Sequence, residues 1–245
     1  MRFTVLTLFP ELIRNYVSQG VVGRAVESGL VDVRAVDIRD FTTDRYRTVD
    51  DVPFGGGAGM VLKAEPVASA IESVGDVDHR VLLTPSGRPF SQADAVRWSQ
   101  LTSVVLVCGR YEGVDDRIRQ DFVDDAVSIG DYVLSGGELG ALVVLDATLR
   151  LVPGVLGNAE SSQNESYSEG LLEHAHFTRP AEWRGRAVPD VLLSGHHARI
   201  DEWRRQQSLR RTWTLRKDLV SRVSLTPEDK RFLAELESGQ NDEEN

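Results

Sequence analysis

The sequence predicts an α/β fold with a mostly parallel sheet, followed by a small all-helical domain. Three observations carry that prediction. Short β-branched runs alternate with segments of helical spacing through the first 150 residues. Runs such as VVLVC are apolar at every position, as strands buried on both faces of a parallel sheet are. Beyond the polar stretch NAESSQNESYSEG (158–170) the β-like runs stop and helical spacing takes over.

In order, the strands are expected at FTVLTLF (3–9), LVDVRAVDI (30–38), RVLLTP (80–85), SVVLVCG (103–109) and DAVSIG (125–130). Helical spacing lies between them in PELIRNYVSQG, KAEPVASAIESV, SQADAVRWSQL and VDDRIRQDFV. Ser135-Gly136-Gly137-Glu138 has the spacing of a capping box, with Ser135 as N-cap and Glu138 three residues on. It opens ELGALVVLDATLRLVP, apolar on most sides and so expected to be buried, which Pro153 and Gly154 end. A later helix is expected from about Ser194–Gly195, with Ile200 and Trp203 on one face. Another starts at Thr226, with Pro227 at its first position and early acids.

The chain has 245 residues, enough for one large domain or two small ones, and its 27% charged residues fit a globular protein. No window approaches 18 uninterrupted apolar residues, and the N-terminus lacks the order of a signal peptide. The lone cysteine, Cys108, excludes an internal disulfide and a Cys-based zinc site, and its apolar neighbours suit a core thiol. A net charge of −10 argues against indiscriminate binding to phosphate backbones. From Arg179 to Lys217, however, ten Lys or Arg face four Asp or Glu, which suits a selective nucleic-acid contact or a solvated helix face. The acidic tail GQNDEEN is expected to fray.

Glycine-rich turns follow three successive late strands: TPSGRP (84–89), CGRYEG (108–113) and IGDYVLSGG (129–137). In a parallel sheet such turns share one edge, so together they predict a cofactor crevice. No G-x-G-x-x-G follows the first strand, and the glycine-dense PFGGGAGMVLK (53–63) lacks the ending of a phosphate-binding loop. That loop reads equally as a mobile lid or as a clasp over an extended substrate. His174 with His176, and His196 with His197, offer no third ligand at metal spacing, and no serine sits in a nucleophile elbow. Arg150 either caps the carbonyls of the apolar helix or is aimed into a site. The polar stretch leaves Glu160, Glu165 and Glu169 open as working carboxylates.

In order from residue 5 to residue 213, VLTLFP, GVVGRA, RDF, RTVDDVPFGGGAGMVLK, LVCGRYEGVDDR, SIGDYVLSGGE, RLVPGVLG, HFTRP, VPDVLLSGHHARI and QSLRRTW closely resemble bacterial tRNA (guanine-N1)-methyltransferases, the TrmD family. The resemblance implies a SPOUT-type domain (1–160) with a deep trefoil knot, a flexible linker (161–172) and a helical tRNA-binding domain (173–245). It implies a cytoplasmic homodimer with sites at the subunit boundary. That enzyme would methylate N1 of the guanosine at tRNA position 37, using S-adenosylmethionine with Mg2+ in support. Cofactor contacts are then expected at Thr84, Pro85, Ser86, Gly87, Cys108, Gly109, Arg110, Tyr111, Gly113, Ser128, Ile129, Gly130, Tyr132, Leu134 and Gly136. Substrate contacts are expected at Glu112, Gly55, Gly56, Gly57, Gly59, Met60 and Ser166, and along 196–217. Arg150 matches the arginine that contacts the target guanine.

One position departs from the family. Its proposed base is an aspartate before Ser and an aromatic residue, whereas this chain reads Asn164-Glu165-Ser166-Tyr167. The resemblance makes Glu165 the expected base, ahead of Glu160, Glu169 or a water-relayed route. The rival readings are a SPOUT-type ribose 2′-O-methyltransferase and an RNA-binding homologue without catalysis.

Overall fold

The structure is a computed structural model that describes residues 1–157, 165–168 and 170–238. Glu160, Glu169 and the acidic tail lie outside the described residues. The chain divides into two compact units, Met1–Ala159 and Glu160–Asn245.

The first unit is built on a five-stranded sheet, parallel throughout. Its strands are β1 (Arg2–Thr7), β2 (Asp32–Asp37), β5 (His79–Pro89), β6 (Ser103–Cys108) and β7 (Asp125–Ser128), in the order β2-β1-β6-β5-β7. Alternation along each strand feeds two cores. Phe3 and Val5 of β1, and Val104, Leu106 and Cys108 of β6, point to one side. Leu6, Val105 and Val107 point to the other. The first side is covered by α1 (Pro10–Val17), α2 (Gly20–Glu27), α4 (Gln92–Ser99) and α6 (Glu138–Leu149), through Ile13, Val22, Trp98 and Leu145 among others. The second is covered by α3 (Ala64–Ser73) and α5 (Asp116–Asp121), through Val67, Ile71 and Ile118. A small antiparallel hairpin, β3 (Asp50–Asp51) and β4 (Val61–Leu62), carries the glycine-dense loop.

Three local features differ from the sequence expectation. Helix α2 was not anticipated, because Gly20 and Gly23 lower helix propensity. They are needed where they stand. Gly20 has φ +64°, and a methyl group on Gly23 would lie 2.7 Å from the Ser18 carbonyl carbon. Strand β5 runs on to Pro89 because residues 84–87 bulge out: Leu83 and Arg88 both pair with Val127. Ser135 does not cap α6. Gly137 holds the N-cap position without a side-chain bond, because Glu138 is committed elsewhere.

The second unit packs α8 (His197–Leu215), α9 (Lys217–Val220) and α10 (Pro227–Glu237) around Leu171, Leu209, Val220 and Leu233. It is not purely helical: β8 (Glu182–Trp183) and β9 (Arg186–Ala187) form a short antiparallel hairpin. Four-residue α7 (Asp190–Leu193) precedes α8, and Gly195 at φ +70° separates them, so the long helix begins at His197 rather than at Ser194. Thr226 caps α10 as its sequence suggests: its hydroxyl accepts from Asp229 N–H, and the Asp229 carboxylate accepts from Thr226 N–H.

Candidate active site

A cavity of about 360 Å³ opens where the carboxyl ends of β5, β6 and β7 meet, within the size range of small-molecule sites. Each strand delivers one glycine-rich turn to it. In the first, the Thr84 and Ser86 hydroxyls lie 3.1 Å apart. In the second, Tyr111 adopts φ +59°, a strained backbone for a residue with a side chain. In the third, the Ser128 hydroxyl donates to Gly130 O at 2.9 Å, and Tyr132 N–H donates to the same oxygen at 2.9 Å.

The second and third turns are tied together. Gly137 N–H donates to Gly109 O at 2.8 Å, and a methyl group on Gly137 would lie 2.8 Å from Cys108 Cα. Arg110 donates to Ser135 O at 3.1 Å and, through Nε, to Glu138 Oε2 at 3.1 Å. Glu138 is 2% exposed and also accepts from the Thr7 hydroxyl at 2.8 Å, while the Phe9 ring stacks 4.3 Å from the Arg110 guanidinium. A buried carboxylate is tolerated because an arginine and a hydroxyl answer it. Here the pair joins β1 to both turns.

The glycine-dense loop is fastened beside this cavity. Gly55, Gly56, Gly57 and Gly59 all have positive φ, which allows a course that other residues would strain. Glu112 N–H donates to Met60 O, and Leu62 N–H donates to Gly113 O, both at 2.9 Å. The Glu112 side chain fills the space that any side chain on Gly59 would need. Phe54 stands fully exposed on that loop.

Of the expected cofactor residues, Thr84, Pro85, Ser86, Gly109, Arg110, Tyr111, Gly113, Ser128, Ile129, Gly130, Tyr132, Leu134 and Gly136 line the cavity, and so does Glu112. Gly87 and Cys108 do not. Gly87 sits where β5 presses on β7, with Val127 N 2.5 Å from where a methyl would be. Cys108 is fully buried behind the wall, and burial raises its thiol pKa well above the usual range, so it stays a thiol. Arg150 occupies the C-cap position at the far end of α6, twelve residues beyond Glu138, or about 18 Å along the helix at 1.5 Å per residue. It does not line the cavity. Glu165 and Ser166 belong to the second unit.

The sequence reading missed the apolar walls, Leu82, Leu83, Val114, Val127 and Val133, and a charged rim, Asp116 and Arg119. The rim carried a usable signal, because residues three apart on a helix share a face. Gly137 and Gly140, where α6 begins, complete the lining. Apolar walls, exposed backbone groups and a charged rim together fit an adenosyl group with a zwitterionic tail.

A family profile described as tRNA (Guanine-1)-methyltransferase TrmD matches residues 1–222. The chain belongs to the TrmD family. Among curated relatives it is similar to the tRNA (guanine-N(1)-)-methyltransferase of Geobacter metallireducens, 51% identical over 98% of this chain and 99% of that one. The protein of the same name from Brevibacillus brevis is 52% identical over 97% and 98%. That of Chloroflexus aggregans is 52% identical over 96% and 95%. These TrmD relatives are matched end to end, so both compact units fall within the shared region.

Proposed function

We propose that the chain is a tRNA (guanine-N1)-methyltransferase that acts on the guanosine at position 37, beside the anticodon, with S-adenosylmethionine as donor. The observation that carries this reading is the cavity, walled by three glycine-rich turns of which the second and third are tied, in a chain that matches TrmD proteins along their full length.

The residues present fit the cofactor. Leu83, Val127, Ile129 and Leu134 offer an apolar slot for adenine, while Thr84–Ser86 and Gly109–Gly113 expose backbone groups. When bound, S-adenosylmethionine supplies an electrophilic methyl group. The chain's own residues prepare the acceptor. Guanine N1 carries a proton near neutral pH, so Glu165 takes that proton as N1 gains its methyl, and Arg150 stabilises the charge that develops on O6. Glu112, Gly55–Gly57, Gly59, Met60 and Ser166 hold the substrate. Holding both reactants in line contributes much of the remaining acceleration. Mg2+ supports catalysis without a step of its own; among the described residues no group of three or more His, Cys, Asp or Glu could hold a metal ion.

The protein works as a homodimer with sites at the subunit boundary. Supporting this, α1 and α6 lie side by side in the first unit and expose Leu12, Tyr16, Leu139 and Val143. Arg150 lies ten residues beyond Gly140, the last cavity-lining residue of α6, or about 15 Å along the helix, so a second copy is the natural source of the arginine. A SPOUT-type knot agrees with the path after edge strand β7, where residues 129–137 return past β5 and Gly136 bridges Arg110, just beyond β6. The substrate and chemistry make the protein cytoplasmic, and among the described residues no helix is long and apolar enough to cross a membrane.

The test is methyl transfer from labelled S-adenosylmethionine to tRNA transcripts that carry G or A at position 37. Labelling is expected on the G37 transcript alone, at N1. Equal labelling of both, or methyl found on ribose, rejects the reading.

A further inference from the structure

We infer that Thr212 is the positioning residue for the Glu165 base, and that the second unit holds the turn carrying that carboxylate. The inference rests on the proposed role of Glu165.

Three sets of contacts support it. The turn closes on itself: Ser168 N–H donates to Glu165 O at 3.1 Å, Tyr167 N–H to Leu171 O at 2.8 Å, and Gly170 N–H to Tyr167 O at 3.2 Å. It is then pinned by side chains. The Ser166 hydroxyl accepts from Glu173 N–H at 2.9 Å, and the Thr212 hydroxyl of α8 accepts from Leu172 N–H at 2.9 Å. Thr212 is fully buried, and its hydroxyl donates to Ser208 O at 2.6 Å, which turns its lone pairs toward the Leu172 N–H. Finally, Leu171 is inserted in the core of the second unit with Leu209, Val220 and Leu233.

The backbone supports the same conclusion. Tyr167 is held at φ +74°, and Gly170 at φ +82° with Val223 Cγ2 only 2.7 Å from where a methyl would lie. Strained positions persist where surrounding contacts over-determine them. The Arg216 guanidinium, whose pKa is raised first by Asp218, also interacts with Tyr167. A base on so constrained a turn keeps its place, and a misplacement of about 1 Å in a reacting group costs on the order of 100-fold.

The experiment compares Thr212→Val, which keeps the shape and removes the acceptor, with Thr212→Ser, which keeps the hydroxyl. Single-turnover methylation of the G37 transcript, affinities for S-adenosylmethionine and for tRNA, and melting temperature are measured on the full-length protein. Thr212→Val is expected to slow methyl transfer at saturating substrates by tenfold or more, with both affinities within twofold of wild type. Thr212→Ser is expected to restore the rate. If Thr212→Val melts too low to assay, Gly170→Ala strains the same turn without touching Thr212 and is expected to show the same loss. A wild-type rate in Thr212→Val, beside an inactive Glu165→Gln, overturns the positioning role alone. An active Glu165→Gln overturns the base itself. A loss of tRNA affinity equal to the loss of rate reduces Thr212 to a structural residue and also overturns the inference.

Discussion

Glu165 differs from the aspartate expected of the family by one methylene, and its neighbourhood makes that difference matter. A carboxylate on a slack chain could absorb the extra length by moving the backbone. The Glu165 turn has strained φ at Tyr167, a glycine that admits no side chain, and two side-chain pins. Glu165→Gln is therefore expected to nearly abolish single-turnover methylation with cofactor affinity unchanged. Glu165→Asp, though it restores the family residue, is expected to lose activity by one to two orders of magnitude, roughly what about 1 Å of misplacement costs. Rapid-quench assays of the two variants decide this. If Glu165→Asp runs at the wild-type rate, the turn follows the side chain and the length of the carboxylate is immaterial.

Helix α8 shows how an element can look more basic in sequence than it is in the fold. Arg204 pairs with Asp201 at 3.4 Å, Arg205 with Asp229 at 2.8 Å, and Arg211 donates to the carbonyls of Glu173 and His174 at 3.1 Å. Arg205 and Arg211 tie α8 to the rest of the second unit, whereas the exposed Arg204–Asp201 pair stays within the helix. Arg186 and Arg199 are exposed and make no side-chain ion pair among the described residues. The Arg205–Asp229 pair also joins α8 to the cap of α10. Burial disfavours the Asp229 carboxylate, but Arg205 and the Thr226 N–H outweigh it and hold its pKa below the ordinary value. A carboxylate lowered in the native state stabilises the fold fully above its unfolded pKa, near 4, and loses that contribution as pH falls through its native value. Asp229→Asn is expected to lower the stability of the second unit by about 2 kcal/mol at neutral pH. The gap from wild type should close progressively below about pH 4. Urea unfolding followed by circular dichroism at pH 7 and pH 3 reads both values, and a gap of equal size at the two pH values contradicts the assignment.

For the whole molecule, the separation of groups within one chain sets a test of the proposed shared-site dimer. The cavity lies at the start of α6, and Arg150 lies at its end. Mixed dimers that pair Arg150→Ala subunits with Gly137→Ala subunits are expected to recover methyl transfer, although each variant alone is inactive. In such a dimer one intact cavity meets one intact arginine. Recovery toward half the wild-type rate per dimer in a mixing titration supports shared sites. No recovery, with mixed dimers verified by mass spectrometry, rejects them. Gly137→Ala serves here because its methyl would collide with the backbone at Cys108 and close the junction between the two cavity turns.

Much of this was legible in the chain itself. The five parallel strands were, from β-branched runs with turn-like ends, and β1 and β6 feed two cores by simple alternation. The three glycine-rich turns were, because parallel strands deliver their carboxyl ends to one edge. The Thr226 cap was, because its partners lie three residues apart. What stayed hidden depends on partners far away in sequence. Ser135 and Glu138 have the spacing of a capping box, but Thr7, 131 residues earlier, and Arg110 take the Glu138 side chain and leave the helix start to Gly137. The bulge at 84–87 and the need for Gly87 arise only where β5 presses on β7. The sequence by itself determined the layers and the chemistry of the turns, which follow from local spacing and residue type, while the unusual glutamate stood out only through the family resemblance. Only the tertiary structure decided which turns are tied, that Arg150 stands a helix length from its own cavity, and that the Glu165 turn is pinned by Thr212. Those are distances between residues that no local pattern encodes.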